Sequence, residues 1–551
     1  MSTLTYLVGF LDIATGMARG WRPRFDLLVD LLVDLVPGAI EAASAATVVS
    51  GILLLLLAHA LRRRKRRAWW AATGLLALSV VLHAVKLEFI VAAMSLALLI
   101  ALIAYRAEFR ALGDPQTRWR AVRVFIVLAT ASLAVGVLLV TLLRHQVVGG
   151  PPSLAGIVQE VLSGLVGLDG PISLRNRRAN EFEGAVLLGL GLMTALTTVY
   201  LALRPPEPLR ALTDADEATL RSLLQHSPDS LGYFNLRRDK SVIWSESGKA
   251  AIAYRVVAGV MLASGDPLGD CEAWPGAIAN FLAEAERHAW TPAVIGCSEQ
   301  AGNIWCRATG FSALELGDEA VVDVAGFSLD GRPMRNVRQM VKRIERAGYT
   351  TEVMRAGSVS DGERRRALVD ADAWRGTETE RGFSMALGRL VDPVDPDCVF
   401  VVARQDGILR AFLQFVPWGP DGMSLDVMRR DRTADAGVNE LLIVDALRSC
   451  PQLGISRVSL NFAAFRSTLE RGERLGAGPF VRGWRRVLLF ASRWFQIESL
   501  YRFNAKFQPT WVPRFVVYPG TRDLPRIAIA ALEAEAFLTW PSLHRFSGAR
   551  S

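Results

Sequence analysis

Cysteine and histidine are scarce in this chain, and neither is patterned. The five cysteines, Cys271, Cys297, Cys306, Cys398 and Cys450, form no CxxC pair. An odd, scattered set argues against a disulfide framework and for a reducing compartment, with each thiol read as a small buried hydrophobe. The six histidines, His59, His83, His145, His226, His288 and His544, share no metal-ligand spacing. A zinc site or a Ser-His-Asp triad is therefore not expected. Catalysis falls to carboxylates, Lys, Arg, Tyr or the substrate itself, with no metal and no cofactor. A phosphate loop is lacking as well: "SGDPLG" (264–269) is too short and wrongly spaced for one. Exact repeats and low-complexity segments are absent.

Apolar residues are abundant. They make up 51% of 551 residues, and mean hydropathy is +0.26, more apolar than ordinary soluble domains. The length allows three or four domains. Five runs, near 39–61, 68–87, 88–105, 123–143 and 185–203, read as long enough to span a bilayer, which needs about 20 apolar residues. The first 38 residues leave a sixth span open. "LTYLVGFLDIATGMA" is short and has no basic n-region, so a cleaved signal peptide is not expected. "FDLLVDLLVDLV" has a helical apolar period suited to lying in the interface. The stretch 144–184 reads as an extracytoplasmic loop with an amphipathic or re-entrant helix.

The formal net charge is +9. Such a balance suits anionic partners, but also simple positive-inside topology. Three basic loops, "RRRKRR" (62–67), "RAEFRALGDPQTRWRAVR" (106–123) and "RPPEPLR" (204–210), share one side if the five runs alternate. That side is cytoplasmic by the positive-inside rule.

After Arg204, Pro205 and Pro206 break the helix and charge becomes frequent. Residues 1–210 thus read as a membrane domain of five or six helices. Residues 211–545 read as a mixed α/β domain with halves of about 211–350 and 351–545. "GILRAFLQFVPWG", "GMSLDVMRR" and "ISRVSLNFAAF" read as strands. "MRNVRQMVKRIERAGYTTEV" reads as a helix then a strand, and "VNELLIVDALRSCPQLG" as an amphipathic helix capped by Gly454.

Seven segments occur in the order of one known family: "SGDPLG" (264–269), "RNVRQMVKRIERAGYTTEV" (335–353), "RGFSMALGRL" (381–390), "LDVMRRD" (425–431), "NELLIVDAL" (439–447), "VSLNFAAF" (458–465) and "YRFNAKFQPTWVPRFVVYPG" (501–520). In these the region resembles the phosphatidylglycerol lysyltransferases, the aminoacyl-phosphatidylglycerol synthases also called multiple peptide resistance factors. The resemblance implies a multi-pass membrane domain followed by tandem acetyltransferase-like (GNAT) halves. It implies transfer of an amino acid, lysine by default, from aminoacyl-tRNA to phosphatidylglycerol in a bacterial cell membrane. The product is a less anionic lipid that resists cationic peptides. Alanyl or arginyl transfer, a Fem-like peptidoglycan-precursor transferase and a non-enzymatic transporter or scaffold are the alternatives. Long members carry more spans, so product flipping stays open here, as does a homo-oligomer. Nothing after 545 leaves room for a fused lysyl-tRNA synthetase, so charged tRNA is expected from elsewhere.

An ester-for-ester exchange is nearly thermoneutral. It needs positioning, a proton route and oxyanion stabilisation rather than ATP. Asp426 alternates with Leu425 and Val427 on a strand and so faces away from both. It can accept the hydroxyl proton, bind the α-amine, or pair with Arg429 or Arg430. Asn439 and Glu440 open the next helix, Glu440 as a dipole-favoured carboxylate or a contact for a cationic side chain. Asn461, among apolar neighbours, needs partners, and a substrate is one candidate. Arg429 and Tyr518 join the candidate substrate contacts. Lys506 and Arg514, flanked by aromatics, suit the phosphates and unstacked bases of a tRNA end and a lipid phosphate. They complete the candidate catalytic set with Asp426. Arg335, Arg338, Lys342, Arg343 and Arg346 lie at helical spacing, as a solvated face or a patch for tRNA or anionic lipid. Asp266 reads as structural.

A reporter fused after Arg210 is expected to read cytoplasmic, and one near Gly170 external. The reverse pattern removes access to cytosolic tRNA and with it the transferase reading.

Overall fold

The computed structural model describes residues 2–17, 39–62, 66–86, 88–106, 109, 115–148, 150–168, 170–203, 212–375, 382–464 and 497–538. The expected interfacial segment 26–37 lies outside them. The chain divides into two compact units near residue 206.

The first unit is helical. Its helices are Ser2–Met17, Ala39–Arg62, Arg66–Val85, Phe89–Ala104, Pro115–Leu143, Leu154–Leu165 and Arg177–Leu203. Helices coincide with all five apolar runs. Among the described residues, three stretches are long and apolar enough to cross a membrane: Ala68–Val85, Val122–Gln146 and Arg177–Val199. The polarity of this unit is inverted relative to a water-soluble bundle. Leu7, Phe10, Val81, Ile90 and Leu138 are exposed, whereas Thr5, Asp12, Thr47, Ser50, Ser79, His83 and Ser95 are buried. Glycines let the helices touch. A Cβ on Gly51 would stand 2.6 Å from the Gly9 carbonyl, and one on Gly191 would stand 1.8 Å from the Leu165 carbonyl. In 144–184, the helix Leu154–Leu165 is capped by Ser153 and buries Ile157 and Val161.

The second unit is built on a 12-stranded mixed sheet of β1 (Ser241–Trp244), β2 (Ala250–Val257), β3 (Val260–Ser264), β4 (Leu268–Gly269), β5 (Thr291–Cys297), β6 (Ser312–Asp323), β7 (Tyr349–Arg355), β8 (Val399–Gln405), β9 (Ile408–Trp418), β10 (Gly422–Arg430), β11 (Arg457–Ala464) and β12 (Thr510–Tyr518). The order is β1-β2-β3-β5-β12-β6-β11-β10-β9-β8-β7, with β4 on β2. Two halves repeat one plan: an antiparallel meander, a helix, a strand parallel to the last meander strand, a second helix and a final strand. In the first half these are β1–β3, Trp274–His288, β5, Glu299–Thr309 and β6. In the second they are β8–β10, Val438–Ser449, β11, Ile497–Ala505 and β12. This is the expected pair of acetyltransferase-like halves.

The final strands are exchanged. β12 of the second half pairs with β5 of the first, β6 of the first pairs with β11 of the second, and β6 and β12 pair with each other. Pro513 fits this centre because β12 pairs with β5 only from Phe515 onward. The helix Arg335–Arg346, on the first-half side of a boundary near 350, buries Val337, Val341 and Ile344 with Val401, Leu413 and Val438 of the second half. Amphipathicity predicts that helix, and packing decides its owner.

Exchange makes the halves one cooperative body. Val517, fully buried between β5 and β6, is expected to cost on the order of 2 kcal/mol as Val517→Ala. Hydrogen exchange of the full chain should then show equal loss of protection in β2 and β8. Loss confined to β2 contradicts this.

Candidate functional site

The two parallel pairs mark where each half opens. In the second half β10 and β11 pair only from Gly422–Arg457 to Ser424–Ser459 and then diverge. Asn461 spans the gap, donating from Nδ2 to the Leu425 carbonyl at 3.3 Å. Its backbone adopts φ 79° at an irregularity in the β11–β6 pairing, a left-handed conformation that Asn tolerates. Its Oδ1 accepts from the Phe462 amide, so backbone groups supply the partners this half-buried amide required.

At the mouth of this opening lies the N-terminus of the helix Val438–Ser449. Gly437 precedes it at φ 113°, and no side chain caps it. A Cβ at 437 would meet Met340 Sδ at 2.4 Å, so this position requires glycine twice over. Glu440 in the first turn is buried and accepts from Lys506 Nζ at 2.7 Å. Lys506 follows the helix Ile497–Ala505 and is 41% exposed at its side chain. One of its three donors is spent on Glu440, and the ammonium also lies 5.1 Å from the Phe503 ring centroid. Near this opening two buried acceptors, Asn439 Oδ1 and Asn504 Oδ1, have no hydrogen-bond partner among the described residues. Asn504 is oriented by its own Nδ2, which donates to the Leu460 carbonyl at 3.2 Å. Tyr501 and Trp511, half-buried, stack with centroids 5.2 Å apart.

The corresponding opening in the first half is filled by protein. Beyond Ser264–Ile295, Asp266 accepts from the Ser298 amide and hydroxyl at 2.7 and 2.6 Å. Burial first, then the neighbouring Asp229, raises Asp266 above the usual carboxylate range. Lys240, wholly buried, donates to Ser264 Oγ and the Phe234 carbonyl. Burial, reinforced by Arg237, lowers it to about 7.

Arg514 belongs to this filled interior. Its Nε and Nη2 donate to Glu319 Oε2, Nη1 to Asp229 Oδ1 and the Gly296 carbonyl, and Nη2 to Ser230 Oγ. Burial opposes its charge, but Asp229 and Glu319 hold its pKa above the ordinary arginine value. The guanidinium is 4% exposed and all its donors are engaged. It therefore does not grip a phosphate or an oxyanion directly, and it is separated from Lys506, with which the sequence groups it. Through Glu319, which also accepts from Ser459 Oγ, it props β11 where β10 diverges.

Asp426 is likewise placed differently. A bulge falls between Leu425 and Val427, and Leu425 and Val427 pack into opposite faces of the sheet. The simple alternation expected of Asp426 is therefore broken. Its carboxylate accepts from the Leu387 amide and Gln414 Nε2, and so holds the loop that carries "GFSMALGRL". Glu535 anchors the front of that loop through the Phe383 and Ser384 amides. Arg429 donates to its neighbouring Met428 carbonyl. Tyr518 is buried at the far end of β12 with Val260 and Ile527, away from the opening.

Of the basic helix, Arg335 and Lys342 are exposed. Arg338 donates to the Leu329 and Gly331 carbonyls, and Arg343 to the Ala436 carbonyl beside Gly437. The helix thus flanks the Asn439–Glu440–Lys506 mouth.

A family model described as "Phosphatidylglycerol lysyltransferase, C-terminal" matches residues 221–518, more than half of the chain. The chain belongs to the phosphatidylglycerol lysyltransferase family. A second model, "Transmembrane region of lysyl-tRNA synthetase", matches residues 23–200, and with the apolar helices it marks a membrane protein. The "Lysylphosphatidylglycerol biosynthesis bifunctional protein LysX" of Nocardia farcinica is 53% identical over 358 residues, covering 64% of this chain and 32% of that protein. Its namesake in Rhodococcus jostii is 46% identical over 459 residues, covering 82% and 40%. The chain thus spans well under half the length of these relatives. The solved structure of L-PGS from Bacillus licheniformis has the same fold, with TM-score 0.53, 22% identity and coverage of 61% of this chain and 100% of that one.

Within this lysyltransferase-family unit, Asn439, Glu440, Asn461 and Lys506 gather at one opening. Arg514 supports it from beneath, Asp426 supports the adjoining loop, and Tyr518 is remote. Sequence reasoning missed Asn504, Glu319, Asp229 and Ser459. Asn504 sits inside a quoted motif, and an amide between Phe503 and Phe507 was its signal. Asp229 and Glu319 gave no local signal, because they meet Arg514 only through the strand exchange.

Arg514→Ala leaves Asp229 and Glu319 buried and unpaired, a loss of about 3–5 kcal/mol. Lys506→Ala removes a partner that is 41% exposed and leaves Glu440 facing its own helix N-terminus, so the expected loss is smaller, about 1 kcal/mol. Urea midpoints from pulse proteolysis of the full chain check this. Equal midpoints for Arg514→Ala and wild type contradict the assigned role.

Proposed function

We propose that this chain transfers an aminoacyl group, lysyl by preference, from aminoacyl-tRNA to the glycerol hydroxyl of phosphatidylglycerol at the β10–β11 opening. Family membership supports the reaction. The observation that supports the location is a pair of buried acceptors without a partner among the described residues, Asn439 Oδ1 and Asn504 Oδ1, near the Lys506–Glu440 pair. Acceptors suit a donor carrying one or two ammonium groups, and Glu440 supplies the compensating charge.

In this reading the hydroxyl oxygen attacks the aminoacyl carbonyl carbon, and the bond to the ribose oxygen breaks. The proton of the attacking hydroxyl ends on that oxygen. One ester replaces another, so no nucleotide is consumed. Lys506, with donors left over from Glu440, meets a phosphate or the developing oxyanion as a point charge. The uncapped helix N-terminus at Asn439 adds its amide dipoles. Tyr501 and Trp511 offer stacking surface to the terminal bases of the tRNA. Arg335 and Lys342 offer charge to its backbone or to anionic lipid. The basic loops at 62–67, 106–123 and 204–210 support a cytoplasmic face for this unit in a bacterial membrane.

Expression in a host without aminoacylated phosphatidylglycerol should yield a ninhydrin-positive phospholipid whose mass reports the amino acid, and ribonuclease should abolish its synthesis in membranes. Product that persists after ribonuclease rules out the tRNA donor. Lys506→Ala should slow transfer by about 10²-fold at unchanged folded yield. A rate close to wild type moves the site elsewhere.

A further inference from the structure

One cluster of buried polar groups in the helical unit centres on His83. Nε2 of this ring lies 2.9 Å from Asp12 Oδ1, and Nδ1 lies 2.6 Å from Glu88 Oε2. Glu88 Oε1 is 3.0 Å from Lys86 Nζ, and Lys86 Nζ also donates to the Thr15 carbonyl at 3.3 Å. On the inner side, Ser79 Oγ donates to Asp12 Oδ2 at 3.0 Å and lies 3.3 Å from Ser95 Oγ. His83 and Asp12 side chains are 0% exposed, Lys86 5% and Glu88 26%. The groups facing the ring come from every packed element: Asp12 from helix 2–17, Ser79 from its own helix, Ser95 from helix 89–104, and Lys86 and Glu88 from the connecting turn. Helix 39–62 presents the buried hydroxyls of Thr47 and Ser50 among its described side chains.

A neutral imidazole has one N–H and one lone pair, and an ionised carboxylate only accepts. With both ring nitrogens against carboxylates, a neutral ring would hold one lone pair against another at hydrogen-bond distance. The arrangement is satisfied only by one further proton, as an imidazolium or a carboxylic acid. That proton also balances charge. Asp12 and Glu88 against Lys86 leave one net negative charge, which the proton cancels. A neutral cluster is far less costly among apolar helices than a charged one. Gly51 is part of the construction, because a Cβ there would meet Asp12 Cβ at 2.9 Å.

We propose that Asp12, His83 and Glu88 form a proton-binding site inside the helical unit, which takes up one exchangeable proton through Glu88 and shares it onward to Asp12. Glu88, the exposed member, receives the proton and passes it to Nδ1. The proton on Nε2 stays on the ring and is held in the hydrogen bond to Asp12 Oδ1, and Ser79 and Ser95 extend the hydrogen-bonded chain inward. No oxidant or second ligand is needed. The site gives the helical unit a protonation state of its own, separate from the chemistry of the sheet unit.

The test uses the full chain in lipid nanodiscs with ring-¹⁵N histidine, the His83 signals being those missing from His83→Gln. At neutral pH both His83 nitrogens should be protonated. As pH rises the ring should lose one proton in a single step. Glu88→Gln, at a partly exposed position, should weaken proton binding about tenfold or more, and Asp12→Asn should do likewise. A pH-indicator dye should record about one more proton taken up per wild-type chain than per His83→Gln chain on acidification through that step. A lone-pair nitrogen at His83 in neutral solution overturns the proposal. So does a ring that stays cationic over the whole range in which the helices remain folded, proton binding unchanged in Glu88→Gln, or equal uptake by wild type and His83→Gln.

Discussion

The sheet unit depends on the pairing of β6 with β12 at its centre. Each strand closes the other half's sheet, so neither half has a complete edge without its partner. The seam is also where charge is buried. Arg514 on β12 meets Glu319 on β6 and Asp229 from the first half, with Asp266 close by. Ion pairs this deep are poor sources of net stability compared with apolar packing, but breaking one is costly. Their effect here is selective. Only a register that brings Arg514 to Glu319 leaves no carboxylate stranded, and a one-residue slip would turn the guanidinium to the opposite face.

On either side of that seam the two openings differ in what lies in them among the described residues. The two halves share a plan, and both have a parallel pair that diverges. In the first, Asp266 and Ser298 close the gap directly, and Lys240 fills the space behind Ser264. In the second, one asparagine side chain crosses it, and two further asparagines leave acceptor oxygens facing nothing described. Buried acceptors without partners normally cost free energy; among the described residues Asn439 keeps one at the N-terminus of helix Val438–Ser449 and Asn504 another near the end of helix Ile497–Ala505. The same plan is thus closed by side chains in one half and, among the described residues, bridged by a single asparagine side chain in the other.

Much of this was legible in the sequence. Strand and helix patterns placed β9, β10, β11 and the helices at 335–346 and 438–449, because each carries its period within a dozen residues. Asn439, Glu440 and Lys506, which the structure brings together, are visible as candidates because helix starts and aromatic-flanked cations are local signals. Arg514 was found but misread: its neighbours in sequence are aromatic, whereas its neighbours in space are carboxylates from residues 229 and 319. Asp426 was misread because a bulge is a one-residue event that alternation does not reveal. The owner of helix 335–346 and the exchange of β6 with β12 are properties of non-local pairing, to which periodicity is blind.

The two units solve opposite solvation problems with the same residue types. In the sheet unit the interior is apolar, and the guanidinium at its centre, Arg514, has every donor engaged. In the helical unit the exterior is apolar and the interior carries hydroxyls, His83, Lys86 and the carboxylates of Asp12, Glu160 and Glu183. There the partner set around His83 is complete only when a proton from outside is counted. A charge network that needs nothing external is a fastener. One that needs a single proton to be neutral responds to its surroundings, and its placement beside the partly exposed Glu88 gives that proton a way in.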